Sequence, residues 1–307
     1  MAGRPTESAP LAGVTAVVTG ANSGIGYHTA LGLARRGAHV TLVCRDRLRA
    51  DEARRSMLRA APAADLKVAL ADLSVLASVR ELAAALSEQG SRLDLLVNNA
   101  GIMGGPRRLS PDGYELQFAT NYLGHFALTG LLCPALYRSH RPRVVSLISL
   151  STRMVKAPAF DPTGTGYDKF GAYNQSKLAN LMFAQELDRR AGPAGLTSVA
   201  AHPGFADTEI QFKGVRLDGG KGERPLRIAT ALLAQSASAG AEAVLHAATA
   251  PGVVGGAVYG PTGLAQMRGR PGEVAPARAA ADAAAAARLF DMSEELTGVS
   301  FGLAAAH

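Results

Sequence analysis

The sequence predicts an α/β protein, a single domain built on a parallel, doubly wound sheet of about seven strands with helices on both faces. Two observations support this prediction. Short runs rich in Val and Leu alternate with longer segments in which apolar residues recur at the helical period. Each run is almost continuously apolar, as expected for a parallel strand that is covered on both faces. Such alternation favours right-handed strand–helix–strand units.

The pattern assigns the elements in chain order. The predicted strands cover residues 14–19, 40–44, 68–70, 93–97, 144–149, 198–201 and 257–259. The predicted amphipathic helices cover residues 26–36, 47–60, 74–89, 111–138, 173–190 and 228–248. An Ala-rich segment at residues 275–288 predicts a terminal helix, because Ala has the highest helix propensity.

Composition excludes several classes of protein. The 307 residues are 48% hydrophobic and 19% charged, which is globular rather than disordered. The formal net charge is +7, but Lys and Arg are scattered, so we expect no nucleic-acid partner. No stretch approaches the roughly 18 apolar residues of a membrane span. Cys44 and Cys133 lie in apolar runs, which predicts reduced core thiols and a cytoplasmic protein.

A glycine-rich turn follows the first predicted strand, in Thr19-Gly20-Ala21-Asn22-Ser23-Gly24-Ile25-Gly26. Glycines allow the backbone to turn tightly and to approach a ligand closely. The helix that begins there presents free N–H groups and the positive end of its dipole to a pyrophosphate. The turn therefore predicts a Rossmann-type dinucleotide site. Its expected contacts are Gly20, Asn22, Ser23, Gly24, Ile25 and Gly26.

The end of the second strand bears on the choice of dinucleotide. A carboxylate there would bind the ribose 2′-OH of NAD, whereas arginine suits the 2′-phosphate of NADP. The chain reads Val43-Cys44-Arg45-Asp46, so the arginine comes first. We therefore expect Arg45 to bind NADP(H). Asp46, one place later, keeps NAD as the alternative.

Tyr173 and Lys177 are four residues apart at the head of a predicted helix, a spacing that places both side chains on one face. A cation beside a phenol favours the phenolate, so we expect the pKa of Tyr173 to lie below its usual value of about 10. Such a tyrosine exchanges protons near neutral pH. Taken alone, a pair of this kind also occurs by chance in many helices.

The order of the motifs along the chain is more specific than any one of them. After the glycine-rich turn come Asp72-Leu73, then Asn98-Asn99-Ala100-Gly101, then Tyr173-x-x-x-Lys177. From about residue 14 to 263 the chain resembles the short-chain dehydrogenase/reductase family. Within that family it looks most like the retinol dehydrogenase-like group, in Thr19–Tyr27, Cys44-Arg45-Asp46, Asn98–Met103, Asn121–Phe126, Tyr173–Asn180 and His202-Pro203-Gly204.

The resemblance implies a catalytic set of Asn121, Ser149, Tyr173 and Lys177. Tyr173 would exchange the proton, Ser149 would orient the substrate oxygen, and Lys177 and Asn121 would support a water-linked proton relay. Members of the family usually have two adjacent serines, whereas this chain reads Ser146-Leu147-Ile148-Ser149-Leu150-Ser151. Residues two apart in a strand point to the same face, so Ser151 is the alternative to Ser149.

The resemblance also implies further contacts with the cofactor. Asp72 would bind the adenine with Leu73 packed beside it, and Lys177 would hold the nicotinamide ribose. The remaining expected contacts are Asn99, Ala100 and Gly101 at the adenosine ribose, Tyr173, and Pro203, Gly204 and Thr208 at the carboxamide. The cysteines and histidines show no ligand spacing, so we expect no metal site.

These features divide the chain into three parts. Residues 1–12 are expected to be a flexible N-terminus, 13–270 a Rossmann-fold NADP-binding and catalytic domain, and 271–307 a C-terminal helical extension. The polar, Gly-rich stretch within about 205–227 predicts a mobile substrate loop. Apolar residues around it, Phe160, Phe205, Ile210 and Phe212, predict a lipophilic substrate.

The sequence therefore predicts an NADP(H)-dependent oxidoreductase that transfers a hydride between nicotinamide and a lipophilic ketone, aldehyde or secondary alcohol. A ketoreductase of specialised metabolism is one such enzyme, and a homo-oligomer is compatible with the family. Two alternatives stay open: an NAD-dependent alcohol dehydrogenase, and a nucleotide-binding sensor without catalysis.

Overall fold

A parallel sheet forms the centre of the protein. The computed structural model describes residues 10–87, 92–205 and 235–303. Within them lie eight strands: β1 (Thr15–Thr19), β2 (His39–Cys44), β3 (Asp65–Leu70), β4 (Leu95–Asn98), β5 (Arg143–Leu147), β6 (Thr197–Ala201), β7 (Val258–Pro261) and β8 (Pro271–Val274). Their order is β3-β2-β1-β4-β5-β6-β7-β8. The predicted doubly wound sheet is confirmed, with an eighth strand that runs antiparallel to β7.

Helices cover both faces of the sheet. They are α1 (Gly24–Arg35), α2 (Arg47–Ala60), α3 (Leu76–Ser87), α4 (Leu116–Phe118), α5 (Gly124–Leu136), α6 (Lys169–Ala191), α7 (Ala237–Thr249) and α8 (Ala283–Thr297). Buried side chains of α1, α2 and α7 form the core on one face. Those of α3, α5, α6 and α8 form the core on the other. No helix in the described ranges is both long and apolar enough to cross a membrane.

The predicted helix at residues 111–138 is interrupted in the structure. It begins only at Leu116, where the Glu115 carboxylate accepts hydrogen bonds from the N–H groups of Gln117 and Phe118, at 2.9 and 2.8 Å. A π-helical turn, Ala119–Leu123, then separates α4 from α5. Turns of this kind occur frequently at functional sites.

The bounds predicted for the terminal helix, 275–288, are wrong. Helix α8 begins at Ala283 because the carboxylate of Asp282 caps it, with Oδ1 accepting from the N–H of Ala285 at 2.8 Å. It ends at Thr297, because the next residue, Gly298, has a left-handed φ of 60° that terminates the helix. The segment expected to be a helical extension, 271–307, also begins with strand β8 rather than a helix. The division into three parts otherwise stays a prediction, and most of the N-terminal part, residues 1–9, lies outside the described residues.

The C-terminal segment packs on α5 and α6 through aromatic rings. Phe290 of α8 and Phe301 lie with their ring centroids 5.0 and 4.9 Å from that of Phe126. The ring of Phe183 lies 6.1 Å from each of them. The guanidinium of Arg190 lies 4.2 Å from the centroid of Phe290, a cation–π contact. The last helix is therefore part of the main core.

This packing predicts a large loss of stability for Phe290→Ala. Because the ring is 1% exposed, its removal leaves a cavity, and we expect the free energy of unfolding to fall by about 3–5 kcal/mol. Urea denaturation measures it. The matched control is Phe170→Ala, whose ring is 54% exposed and should cost less than about 1 kcal/mol. Equal effects in the two variants would show that α8 does not pack as described.

Candidate active site

The glycine-rich loop lies between the end of β1 and the start of α1. Gly20 and Gly24 have φ values of +65° and +56°, a conformation that favours glycine. A side chain at Gly26 would collide with the amide nitrogen of Asn99 and the carbonyl of Gly20. The Ser23 side chain makes no capping hydrogen bond, so no side chain occupies the first N–H groups of α1. This arrangement fits a bound pyrophosphate.

Other predicted residues of this loop contribute through the backbone or through packing. The N–H groups of Ala21 and Asn22 donate to the sulfur of Cys44, at the end of β2. Burial raises the pKa of this thiol to about 11, so it stays protonated and unreactive. The side chain of Ile25 is buried in the core under the loop.

The end of β2 presents an exposed arginine. The side chain of Arg45 is 75% exposed, and its Nη1 lies 3.7 Å from Oδ2 of Asp72. The other oxygen of Asp72 accepts from the N–H and hydroxyl of Ser74, at 2.9 and 2.6 Å. Leu73 is buried beside it. The carboxylate of Asp46 caps α2, where it accepts from the N–H of Arg49 at 3.0 Å.

One hydroxyl connects the ends of β1 and β4. Thr19 Oγ1 accepts from the N–H groups of Asn99 and Ala100, both at 2.9 Å. The side-chain amide of Asn99 donates back to the Thr19 carbonyl at 2.7 Å. Gly101 follows, and a carbon added there would lie 3.2 Å from Oδ1 of Asn121 and 3.3 Å from Nζ of Lys177. The predicted cofactor edge therefore adjoins the predicted relay residues.

Ser149 lies against Tyr173, with a hydrogen bond between the two hydroxyl groups. Ser149 also begins the 3₁₀ turn Leu150–Met154. The hydroxyl of Ser151 donates to Ser149 Oγ at 2.9 Å. Of the two serines, the structure therefore brings Ser149 to Tyr173, and Ser151 contacts Ser149.

Burial sets the ionisation of Tyr173 and Lys177. Desolvation raises the pKa of Tyr173 above its usual value, and the hydrogen bond with Ser149 offsets only part of this. The expectation that Lys177 lowers this pKa is therefore wrong for the protein without a ligand. Its Nζ donates instead to the Leu147 carbonyl at 3.0 Å. Burial lowers the pKa of Lys177 to about 8. Tyr173 is thus a protonated phenol at neutral pH.

Asn121 lies in the π-turn, and both its side-chain amide and its main-chain carbonyl form hydrogen bonds with other residues. Its Oδ1 accepts from the N–H of Ile102 at 2.8 Å, and its Nδ2 donates to the Ile102 carbonyl at 3.0 Å. Nδ2 also donates to Ser176 Oγ at 2.9 Å. Its main-chain carbonyl accepts from Nδ2 of Asn180 at 2.9 Å and from a ring nitrogen of His125 at the same distance.

Sequence reasoning did not single out His125, which is fully buried next to these groups. Its Nδ1 lies 2.9 Å from the Asn121 carbonyl, which can only accept, so Nδ1 carries the proton. Its Nε2 lies 2.8 Å from Thr19 Oγ1 and accepts the hydroxyl proton. Burial, with the nearby charge of Lys177, lowers the pKa of His125 to about 4. The sequence signal that could have identified His125 is its spacing, because a polar residue four positions after Asn121 lies on the same face of a helix.

The predicted carboxamide segment, His202, Pro203 and Gly204, directly follows β6. His202 Nδ1 accepts from the N–H of Gly204 at 3.1 Å, and Nε2 donates to Oε1 of Gln266 at 3.2 Å. Burial lowers the pKa of His202 to about 4, as expected for a packing residue. Thr208, Ile210, Phe212 and nearly all of the expected substrate loop lie outside the described residues.

Metal ligands are not gathered anywhere in the described ranges, where no group of three His, Cys, Asp or Glu side chains could hold an ion. The absence of a metal from the whole protein stays a prediction. Both cysteines are buried and unpaired.

The comparisons with known proteins agree with this fold. A family model described as short chain dehydrogenase matches residues 14–215. Because this match covers well over half of the chain, the protein belongs to the short-chain dehydrogenase family.

Individual relatives support the same family. Human retinol dehydrogenase 13 is 42% identical over 207 residues, which are 66% of this chain and 62% of that protein. The chain thus spans less than two thirds of this relative's length. An uncharacterised Mycobacterium paratuberculosis protein matches 97% of this chain and 98% of its own, at 38% identity and a TM-score of 0.77. The Pseudomonas aeruginosa RhlG protein in complex with NADP matches 81% of this chain and 94% of its own, at 27% identity and a TM-score of 0.64.

The two buried histidines predict a loss of stability in acid. Below their usual pKa of 6.5 the unfolded chain binds protons at His125 and His202, whereas the folded protein excludes them until about pH 4. Stability should therefore fall as the pH drops through this window, by about 1.4 kcal/mol per pH unit for each histidine. Urea unfolding at several pH values measures the slope. His202→Asn should make it shallower, and a flat profile would contradict the burial described.

Proposed function

We propose that this protein is an NADP(H)-dependent oxidoreductase that acts on a lipophilic ketone, aldehyde or secondary alcohol. The observation that carries the proposal is the contact between Ser149 and Tyr173, with the buried Lys177 one turn further along α6. This arrangement combines two neighbouring hydroxyl groups with a cation one helical turn away. It is suited to a reaction in which negative charge develops on a substrate oxygen.

In the reducing direction, Tyr173 acts as the acid. Its raised pKa keeps the phenol protonated, so the hydroxyl can give its proton to the oxygen of a carbonyl substrate. Ser149 donates a second hydrogen bond that orients this oxygen and stabilises its charge. Lys177, with a pKa of about 8, is cationic at neutral pH and stabilises the phenolate that remains. In the oxidising direction the same groups remove a proton from an alcohol.

The cofactor supplies the hydride when it is bound, and the protein supplies position and electrostatics. Gly20, Asn22, Ser23, Gly24, Ile25 and Gly26 would form the pyrophosphate cradle. Arg45 would bind the 2′-phosphate, a role supported by its exposure and by the use of Asp46 as the cap of α2. The other proposed contacts are Asp72 and Leu73 at the adenine, Asn99, Ala100 and Gly101 at the ribose, Tyr173 and Lys177, and Pro203, Gly204 and Thr208 at the carboxamide.

A lipophilic substrate is supported by two half-buried aromatic side chains in the segments that follow β5 and β6. Phe160 is half-buried and packs with its ring centroid 6.5 Å from that of Phe118. Phe205, after the Pro203-Gly204 segment, is half-buried as well. The name of the relative retinol dehydrogenase 13 points to an alcohol of this kind. The buried, unpaired Cys44 and Cys133 favour a reducing compartment such as the cytoplasm.

The first test is Tyr173→Phe. Removing the hydroxyl takes away the acid but leaves the ring, so we expect turnover of a lipophilic carbonyl to fall by about 10²–10⁴. NADPH binding, measured by fluorescence titration, should be nearly unchanged. A variant that keeps its turnover would refute the role of Tyr173. A wild-type protein that binds NADPH but reduces no carbonyl would favour the sensor.

The two serines provide a matched pair for the second test. Ser149→Ala should lower kcat by about 10²–10³, because it removes a donor to the developing oxyanion. Ser151→Ala removes only a neutral hydrogen bond to Ser149 and should cost less than about tenfold. Steady-state kinetics on the same substrate compares them. The reverse order would make Ser151 the catalytic serine.

The third test concerns the cofactor. Arg45→Ala removes a charged hydrogen bond to the 2′-phosphate, so the Kd for NADPH should rise by about 10- to 150-fold, equivalent to about 1.5–3 kcal/mol. The Kd for NADH should change little. If the wild-type protein prefers NADH, Arg45 does not select the cofactor and an NAD-dependent alcohol dehydrogenase is the better description.

A further inference from the structure

The hairpin that joins β7 to β8 has a strained turn at its tip. Of the described residues other than glycine, only Ala265 and Gln266 have a left-handed φ, of 50° and 59°. The N–H of Met267 closes the turn by donating to the Leu264 carbonyl at 3.1 Å. A two-residue hairpin turn in which both φ values are positive favours Asn and Gly, because a Cβ atom is disfavoured there. Strain of this kind is concentrated at ligand sites and switch regions.

The side chain of Gln266 accepts a hydrogen bond from a buried histidine. His202 is 2% exposed. The N–H of Gly204 can only donate, so His202 Nδ1, 3.1 Å away, is the acceptor and the ring proton is on Nε2. Oε1 of Gln266 lies 3.2 Å from Nε2 and accepts this proton. Removing Gln266 would take away the acceptor that this buried N–H uses, which is unfavourable.

The hairpin tip also contacts the backbone that follows His202. A side chain at Gly204 would collide with the Met267 carbonyl, so the two backbones are in close contact. The same carbonyl accepts from the N–H of Phe205 at 3.1 Å. The N–H of Gln235 donates to the Phe205 carbonyl at 2.8 Å. The backbone from His202 to Phe205 is therefore fixed by contacts with other elements, and the hairpin tip supplies most of them.

The pair of Gln266 and His202 lies next to the turn that begins at Ser149. Both side chains line a small cavity together with Leu150 and Thr152 of that turn. The hairpin tip is therefore adjacent to two segments of the candidate active site, the one that carries Ser149 and the one that contains Pro203 and Gly204.

We propose that Gln266 is a positioning residue for the nicotinamide end of the cofactor, which acts by holding His202 and, through it, the backbone of Pro203 and Gly204. The proposal rests on the function proposed above, in which this backbone contacts the carboxamide. An acceptor at residue 266 keeps the imidazole proton on Nε2, so that Nδ1 holds the Gly204 N–H. The segment is then ordered before the cofactor binds, and binding costs less conformational entropy.

The proposal explains why the turn keeps a strained residue at position 266. Glycine there would suit the left-handed conformation better, but it has no side chain to reach His202. The requirements of the turn and of the histidine therefore conflict at this position, and the chain satisfies the histidine. Ala265 has the same strain without a contact of this kind, which makes it the matched control.

Three variants separate the side chain of Gln266 from the conformation of the turn. Ala265→Gly relaxes the turn and leaves Gln266 in place. Gln266→Gly relaxes the same turn and removes the acceptor, whereas Gln266→Glu keeps an acceptor oxygen at the same length. We expect Ala265→Gly to raise the Tm by about 1–3 °C through relief of strain. Gln266→Gly should gain less, because the His202 N–H loses its acceptor.

The deciding measurement compares two ligands that differ at the nicotinamide end. NADPH carries the nicotinamide, and adenosine 2′,5′-bisphosphate has only the adenine end. By calorimetric titration, Gln266→Gly should raise the Kd for NADPH by at least about fivefold and the Kd for the bisphosphate by less than about twofold. Ala265→Gly and Gln266→Glu should bind both ligands within about twofold of the wild-type protein. If the wild-type protein binds NADH instead, NADH and AMP take the places of the two ligands.

The other binding patterns overturn the proposal. An equal loss for both ligands in Gln266→Gly would show a general loss of structure, and no loss for either would show that the pair does not position the segment. If Ala265→Gly weakens NADPH binding as much, the strain itself rather than Gln266 matters. If Gln266→Glu fails to restore binding, His202 does not act through this acceptor. A wild-type protein that binds neither NADPH nor NADH would instead refute the proposed function, and this positioning role with it.

Discussion

The hydroxyl of Thr19 holds together the two strand ends on which the site is built. It accepts from the N–H groups of Asn99 and Ala100 and donates to His125, so one side chain connects β1, β4 and α5. Parallel strands present their carboxyl ends at one edge of the sheet, but their loops are free to diverge. This set of bonds keeps them in contact. The glycine-rich loop and Gly101 therefore form a single surface.

Burial then determines the ionisation of the two titratable side chains Tyr173 and Lys177. A phenol taken out of water resists ionisation, and an ammonium taken out of water loses its proton more readily. Tyr173 and Lys177 experience these effects on the same helix face, so the pKa of the Tyr173 phenol is raised and the pKa of Lys177 falls to about 8. The Lys177 ammonium can therefore return a proton to a Tyr173 phenolate more readily than the same groups can exchange one in solvent. In the proposed reaction, Tyr173 is therefore the protonated donor and Lys177 restores its proton.

The parts of the protein that follow from local sequence could be predicted. The glycine-rich turn, the alternation of strands and helices, and the spacing of Tyr173 and Lys177 each depend on neighbouring residues, and the fold class and the family are confirmed. The π-turn at Asn121 could not be predicted, because it depends on side chains from other elements that bind its carbonyl. His125 was missed for a similar reason, since its partner Thr19 is far away in sequence.

The ionisation of Tyr173 could not be predicted from local sequence either. The sequence places Lys177 near Tyr173 but does not show that its ammonium turns to the Leu147 carbonyl, so the predicted direction of the Tyr173 shift was wrong. Strand β8 and the start of α8 at Ala283 depend on pairing with β7 and on the cap from Asp282. In each of these cases a tertiary contact, rather than the intrinsic preference of the local sequence, determines the structure or the pKa.

The most direct measurement of the central claim follows the hydride itself. NADPH carrying deuterium at C4 of the nicotinamide is incubated with the protein and a panel of lipophilic ketones and aldehydes, and the alcohol products are analysed by mass spectrometry. Hydride transfer at this site predicts an alcohol that carries the label when the transferred face is deuterated. Tyr173→Phe should form this labelled alcohol at least about a hundredfold more slowly. NADPH that binds tightly but transfers no label to any carbonyl would contradict the account.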